Sequence, residues 1–416
     1  MKITLMTAGT RGDVQPFVAL ARGLQGAGHD VLLATGAKYE TFVTGYGVPF
    51  RPISNEYHEF IISPEIRQVY QGNVARKLRA TEFPLLRRLL DDCWEAAQGA
   101  EALIYLINIP HAVHIAEKLN VPCFVAAHSP ALSPTKAFPD LHMTRRNLGG
   151  FLNKLSYLAI RPLNLRYYHL VSEWRSQVLG LPKRNPLADD YKLHGRPVPA
   201  LYFYSPLLVP TPDDWDASIT VTGFWPLEDR EEYVPPDDLV AFLESGPPPV
   251  YVGFGSMATL DPEAMAQTVI GALVKAGQRG VVAAECGAIA ASDAPDSVYL
   301  AKAIPHPWLF PRMRAVIHQG GAGTLASALL AGKPMAVCPF FYEQPFWGKV
   351  VHDVGIGAPP IPQERLTVDN LAEMIRVTAT DTAMRERAEA LGAQVRAEDG
   401  VARAVKAIEQ SLDIRT

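Results

Sequence analysis

Cysteine is scarce in this chain. Its four residues, Cys93, Cys123, Cys286 and Cys338, never form a CxxC pair, which removes the common zinc and thiol-redox motifs. Cys123 and Cys338 sit in apolar, strand-like runs and read as buried thiols, suited to a reducing cytoplasm. No His- or Cys-rich cluster suggests zinc, and no P-loop is present. Long apolar runs are missing too: none approaches the roughly 18 residues of a membrane-spanning helix. The opening Met1–Ala8 stretch is too short for a signal peptide and runs into a glycine turn. A cytoplasmic protein is expected, with contact to a membrane surface left open. Neither sign of charge dominates. A net charge of -4 gives no global attraction for nucleic acid.

What is present is globular. Hydrophobic residues make up 48% and charged residues 20% of 416 positions. At about 150 residues per domain, that length suggests two or three domains. From Lys2 to Ala127, strand-like and helix-like runs alternate. A strand at Lys2–Ala8 is followed by the turn Gly9-Thr10-Arg11-Gly12-Asp13, and Pro16 suits the first turn of a helix ended by Gly28. Residues 206–236 are rich in Pro and Asp and read as a semi-rigid linker. The alternation then restarts, with strands expected at 249–254, 281–284, 298–301, 315–318 and 335–338. The fold class is therefore α/β: two doubly wound domains, 1–205 and 237–395, facing each other across a cleft, with 396–416 a final helix free to return to the first domain. Ligands of such sheets bind at the carboxyl ends of the strands.

Two motifs carry most of the chemistry. His318-Gln319-Gly320-Gly321-Ala322-Gly323-Thr324 follows the apolar Ala315-Val316-Ile317 and precedes a helix. Small residues admit a ligand close to the backbone, and a helix amino terminus turns free N–H groups toward it, which suits a phosphate. The plain alternative is a tight turn that needs its glycines. Pro339-Phe340-Phe341-Tyr342-Glu343-Gln344-Pro345-Phe346-Trp347 sets a carboxylate and an amide inside an aromatic block. That pair can bond adjacent sugar hydroxyls, or merely cap a helix.

Together these motifs resemble the donor-binding signature of the UDP-glycosyltransferase superfamily, in the branch that glycosylates antibiotic aglycones and sterols. Gly9-Thr10-Arg11-Gly12-Asp13-Val14-Gln15-Pro16, Leu179-Gly180-Leu181-Pro182 and Pro247 to Ser256 agree in order, while 56–100 and 130–175 match weakly. The resemblance implies the GT-B fold, with an acceptor domain first and a nucleotide-sugar domain second. It implies that His318 and the amides of Gly320, Gly321, Ala322, Gly323 and Thr324 hold the diphosphate, with Ser256 reaching it. Glu343 and Gln344 would hold the sugar. Ala303 to His306, including Ile304, would line the base. Thr10, Arg11 and Gly12 would sit beside the diphosphate, and Asp13 would be the general base. Asp13 is equally placed to cap the helix after it. The chain departs from relatives at Gln319, Ala303 and Ala326, so the base that is read stays open.

The implied activity is an inverting, metal-independent transfer of a hexose, glucose first, from UDP-glucose or a dTDP-sugar to a hydroxyl of a bulky apolar acceptor such as a sterol or polyketide. The nucleotide sugar is a co-substrate, and no cofactor is expected. A nucleotide-sugar epimerase on the same fold is the alternative. Two motif matches are weaker. Gly253-Phe254-Gly255-Ser256-Met257-Ala258 fits a dinucleotide fingerprint, and Asp214-Trp215-Asp216 fits a D-x-D metal motif inside the proline-rich stretch. Residues 141–184 hold eight Lys or Arg against Glu173 alone, with aromatic and aliphatic residues between. The segment reads as amphipathic helix. Phe151, Leu155, Tyr157, Leu158, Leu163 and Tyr167 are expected to face an acceptor pocket or a bilayer, or else the helices pack on the sheet with a solvated basic face.

Overall fold

The computed structural model describes residues 1–63, 75–109, 111–141, 146–158, 165, 167–183, 191–228, 233–255, 259, 261–284, 289–291, 293–302 and 304–413. Two compact units divide the chain. The first comprises 1–206, 210–228 and 399–416, and the second 207–209 and 229–398. Among the described residues no helix is long and apolar enough to cross a membrane.

The first unit is built on strands β1 (Lys2–Met6), β2 (Asp30–Gly36), β3 (Phe50–Ile53), β4 (Ala102–Leu106) and β5 (Cys123–Ala127), beside a small hairpin of β6 (Lys192–Leu193) and β7 (Arg196–Pro197). Strands β8 (Ala200–Tyr202) and β9 (Ile219–Val221) complete a parallel sheet in the order β3-β2-β1-β4-β5-β8-β9. Every residue of β4 and β5 is buried, as continuous apolar runs in a sheet covered on both faces must be. The Arg11–Gly26 helix buries Val14, Phe17, Leu20 and Leu24 against that sheet. It begins five residues before Pro16, where the sequence had suggested its start. Thr10 takes the N-cap position and Asp13 bonds back to it, so a capping box starts the helix early and leaves Pro16 inside it.

Two further stretches join this unit. Strand β9 lies within 206–236, and Trp225 stacks on Phe203 at 4.6 Å, so much of the proline-rich stretch is built into the first unit. The closing Gly400–Asp413 helix packs Val401 and Val405 over Gly23, where an added Cβ would stand 2.4 Å from Val401 Cγ1. Ala404, Ile408 and Leu412 join the core there.

Within 141–184 the structure sorts the residues differently from the sequence pattern. Trp174 and Leu179 are fully buried. Arg175 is buried as well; it holds Glu117 through two bonds of 2.8 and 3.0 Å, His114 Nδ1 at 2.8 Å and the Pro182 carbonyl at 3.2 Å. The guanidinium fork thus ties the Leu179–Pro182 turn to the helix at Ala112–Leu119. Tyr167 donates to Glu82 at 2.5 Å, and Tyr157 is buried, so neither faces outward. Leu163, Arg145, Arg161, Arg166 and Arg184 lie outside the described residues.

The second unit carries β10 (Val250–Gly253), β11 (Gly280–Ala283), β12 (Val298–Ala301), β13 (Ala315–His318) and β14 (Met335–Val337), parallel in the order β12-β11-β10-β13-β14. Val250, Val252, Ile317 and Ala336 form its core with Val269, Leu273, Leu371 and Ile375 from the helices at Pro262–Lys275 and Val368–Thr380. In each sheet the chain winds outward in both directions from a central pair, β1 with β4 and β10 with β13. Those are the crevices where the strand order reverses.

Candidate functional site

The first crevice opens after β1. Its floor is the Gly9 turn, with φ of 128° at Gly9, and a Cβ there would fall 2.5 Å from Asp13 Oδ2. That carboxylate oxygen accepts the Thr10 N–H at 2.7 Å and the Thr10 hydroxyl at 2.9 Å. The other oxygen, Oδ1, takes no hydrogen bond from the described residues. Asp13 is therefore held by one oxygen and free to act with the other. The sequence offered capping and catalysis as readings of Asp13, and the geometry accommodates both.

Residues from other strands lock the turn. Asn55 Oδ1 accepts the Gly9 N–H at 2.6 Å and its amide donates to the Gly9 carbonyl at 3.2 Å. The Tyr39 hydroxyl reaches the same carbonyl at 3.2 Å, and Asn108, just past β4, bonds the Ala8 carbonyl. Burial, then the charges of Asp13 and Glu59, push the Tyr39 phenol up to about 12, against Arg11. Beside them His58 has a covered Nε2 with no partner. Burial lowers its pKa, opposed by Asp13, by a bond from the Asn108 backbone and by Glu59. His58, Asn55, Tyr39 and Asn108 all escaped the sequence reading. Nothing in spacing ties position 58 to position 13; only the return of the Glu56–Ile62 helix to the β1–β4 crevice does. Arg11 and Gly12 are exposed. The Arg11 guanidinium lies 4.5 Å from the centre of the Phe42 ring and bonds Gln15 at 3.3 Å.

The second crevice opens where Gly253 of β10 pairs with His318 of β13. His318 is fully buried. Its Nδ1 accepts the Gly320 N–H at 3.1 Å, so the ring proton of the neutral imidazole sits on Nε2, which is covered and without a partner. Burial, and then His306, drive the His318 pKa down to about 3. At neutral pH His318 is thus an uncharged donor whose N–H finds no acceptor in the protein.

The turn behind it depends on glycine. Gly320 has φ of 94°, and a Cβ there would stand 2.7 Å from Val337 Cγ1 and 3.0 Å from the Gln344 carbonyl oxygen. Gly321 then caps the Ala322–Leu330 helix, whose first N–H groups, on Ala322, Gly323 and Thr324, have no acceptor within the helix. The close approach of Gly320 to Gln344 also joins the two motifs that sequence spacing left separate. Tyr342, with φ of 53°, turns the chain into the Gln344–Asp353 helix, and Glu343 takes its N-cap position, partly exposed. Gln344 is buried. Its Oε1 already accepts the N–H groups of Phe340 at 2.8 Å and Phe341 at 3.3 Å, so that oxygen belongs to the loop and only the amide nitrogen can serve a ligand.

His306 stands in the same crevice. Its ring stacks on Phe310 at 4.2 Å and meets Tyr251 edge-on at 5.8 Å. Ile304 is partly buried two residues earlier, while Ala303 and Ser256 lie outside the described residues. Gln319, a departure from the expected pattern, has a covered Oε1 with no partner, and its amide lies against Gly255 and Gly321. The D-x-D residues are engaged elsewhere. Asp214 accepts from Thr135 at 2.6 Å and the Lys136 amide at 3.1 Å, and Asp216 accepts the Ser218 N–H at 2.8 Å.

Known proteins resemble the chain along its whole length. Residues 3–137 match the glycosyltransferase family 28 N-terminal domain, and residues 267–410 the erythromycin biosynthesis protein CIII-like C-terminal domain. Two sterol 3-beta-glucosyltransferases of Arabidopsis thaliana, UGT80A2 and UGT80B1, are 36% and 35% identical over 99% of this chain, which covers 66% and 68% of theirs. The chain thus spans about two thirds of those plant proteins, and about a third of fungal proteins of the same name. Among solved structures, the glycosyltransferase of kitacinnamycin superimposes with a TM-score of 0.72 at 20% identity, over 98% of both chains, and shows the shared fold.

Proposed function

Because the chain belongs to the glycosyltransferase family that includes the sterol 3-beta-glucosyltransferases, we propose that it moves a hexose, glucose first, from a nucleotide diphosphate sugar to a hydroxyl of a bulky apolar alcohol such as a sterol. The observation that carries this reading is the orphan Nε2–H of His318 beside the amino end of the Ala322–Leu330 helix. A buried donor without an acceptor is costly unless a ligand supplies one. A diphosphate does, and the helix terminus favours its charge. Thr324 adds a hydroxyl, and Ile304 and His306 would line the base.

The reaction follows from that placement. The acceptor oxygen forms a bond to the anomeric carbon while the bond from that carbon to the diphosphate breaks, and the electron pair leaves with the phosphate. Asp13 Oδ1 takes the acceptor proton. One displacement inverts the anomeric centre. The growing phosphate charge meets the His318 N–H and the helix amides, so the residues themselves supply the electrostatic stabilisation.

The test is release of UDP or dTDP from a donor panel against sterol, flavonoid and macrolide alcohols, with and without EDTA. Release that depends on the alcohol and survives EDTA supports the reading. Donor turnover without any alcohol would point to an epimerase. Activity lost to EDTA and restored by magnesium or manganese would return a metal to the mechanism.

Glu343 is assigned to the sugar. Glu343→Ala is expected to raise KM for the nucleotide sugar about tenfold, the loss of one charged hydrogen bond, and to leave UDP affinity within about twofold. Equal losses for both ligands would move Glu343 away from the hexose. Gln344→Ala frees two backbone amides of the Phe340–Phe341 loop, so it should weaken both ligands and lower the melting temperature.

A further inference from the structure

The helix at Gly150–Ser156 is built inside out. Its inward positions are polar. Asn153 accepts the Leu148 N–H at 2.9 Å and donates to the Lys136 carbonyl and to Asn147, each at 2.9 Å. Ser156 donates to the Asn153 carbonyl at 2.6 Å and accepts the Asp140 N–H at 2.8 Å. Its outward positions are apolar: Phe151 is 78% exposed, Leu152 50%, Leu158 47%, Leu155 46% and the preceding Leu148 42%. A water-facing helix ordinarily places these side chains the other way round. Here the polar residues anchor the helix and the large apolar ones point away from the protein. A contiguous apolar patch of this kind marks an interaction surface.

The flanks identify the partner. Lys136, Arg146 and Lys154 are exposed around this face. Asp214, which Lys154 approaches at 3.4 Å, is already bonded to Thr135 and the Lys136 amide. A second copy of the chain would set these cations against their own images, because a two-fold contact uses the same patch twice. An anionic bilayer answers both features: acyl chains take up Phe151 and the leucines, and phosphate headgroups meet the cations. We propose that the 146–158 segment docks the protein on the surface of anionic membranes, with Phe151, Leu152, Leu155 and Leu158 as the inserted side chains. This docking is independent of which acceptor is glycosylated.

The test is flotation of the full chain with vesicles of phosphatidylcholine alone and of phosphatidylcholine with phosphatidylserine, at low and high salt. The wild type should float with the anionic vesicles and less so as salt rises. Phe151→Glu with Leu155→Glu should lower the bound fraction at least about tenfold. The same variant should keep its melting temperature and its calorimetric affinity for UDP, since these side chains touch nothing buried. Wild type that stays with the unbound protein at low salt overturns the proposal, as does a double variant that floats equally well. A dimer in sedimentation that the double variant turns into a monomer also overturns it, by giving the face to a second copy.

Discussion

Replacing Asp13 by asparagine is expected to lower kcat by about 100-fold or more while leaving the protein folded and donor affinity nearly unchanged. The structure makes this variant informative, because Asp13 has two tasks on two oxygens. Oδ2 accepts from the Thr10 amide and hydroxyl and fixes the start of the Arg11–Gly26 helix. An asparagine carbonyl can accept those same bonds, so the cap survives. What asparagine cannot do is take a proton at the other position. Asp13→Ala removes both tasks, and loss of the cap alone should cost about 1 kcal/mol of stability. A lower melting temperature in Asp13→Ala, with a near-normal one in Asp13→Asn, separates cap from base. If folded Asp13→Asn turns over within a few-fold of wild type, proton transfer lies elsewhere. His58, with its covered and unpartnered Nε2 beside Asp13, then becomes the residue to substitute next.

The parts of this protein that were legible in its sequence are local ones. The turn from β13 into the following helix is seven consecutive residues, and its chemistry reads directly from them. The parallel sheets are legible because a strand buried on both faces must be apolar throughout, as Ala102–Leu106 and Cys123–Ala127 are. Three things were not legible, each for a physical reason. The early start of the first long helix depends on a side-chain bond from Asp13 to Thr10, while Pro16 gives the more obvious signal. The residues that stitch the Gly9 turn, Tyr39, Asn55 and Asn108, come from three separate segments and meet only after the sheet forms. In the Gly150–Ser156 helix, alternation of polar and apolar residues shows two faces but not which one turns inward. The hydrogen bonds of Asn153 and Ser156 decide that, and they reverse the ordinary expectation.

Removing the His318 imidazole is expected to weaken UDP about 10- to 150-fold, the equivalent of roughly 1.5–3 kcal/mol for a hydrogen bond to a charged acceptor. The form of the ring matters as much as its presence. Since Nδ1 accepts from Gly320 and burial drives the pKa down to about 3, the donor is the neutral Nε2–H across the physiological range. The wild-type to His318→Ala affinity ratio should therefore be the same at pH 8 and pH 6, measured by calorimetry with UDP. A ratio that grows about tenfold per unit of falling pH would mean that the ring binds phosphate as a cation. The same pKa sets a stability trend. In the unfolded chain this histidine binds a proton below about 6.5, whereas in the folded protein it does so only near 3. The unfolded state thus takes up more protons between those values. Stability is fully present above about pH 6.5 and falls, by up to about 1.4 kcal/mol per pH unit from this group, as the pH drops toward 3. His318→Ala should flatten that acid limb while lowering stability at pH 8, where the lost packing and the unpaired Gly320 amide are felt. Unchanged UDP affinity in a folded His318→Ala variant would remove the residue from the phosphate site and leave the helix amides of Ala322, Gly323 and Thr324 to hold the diphosphate alone.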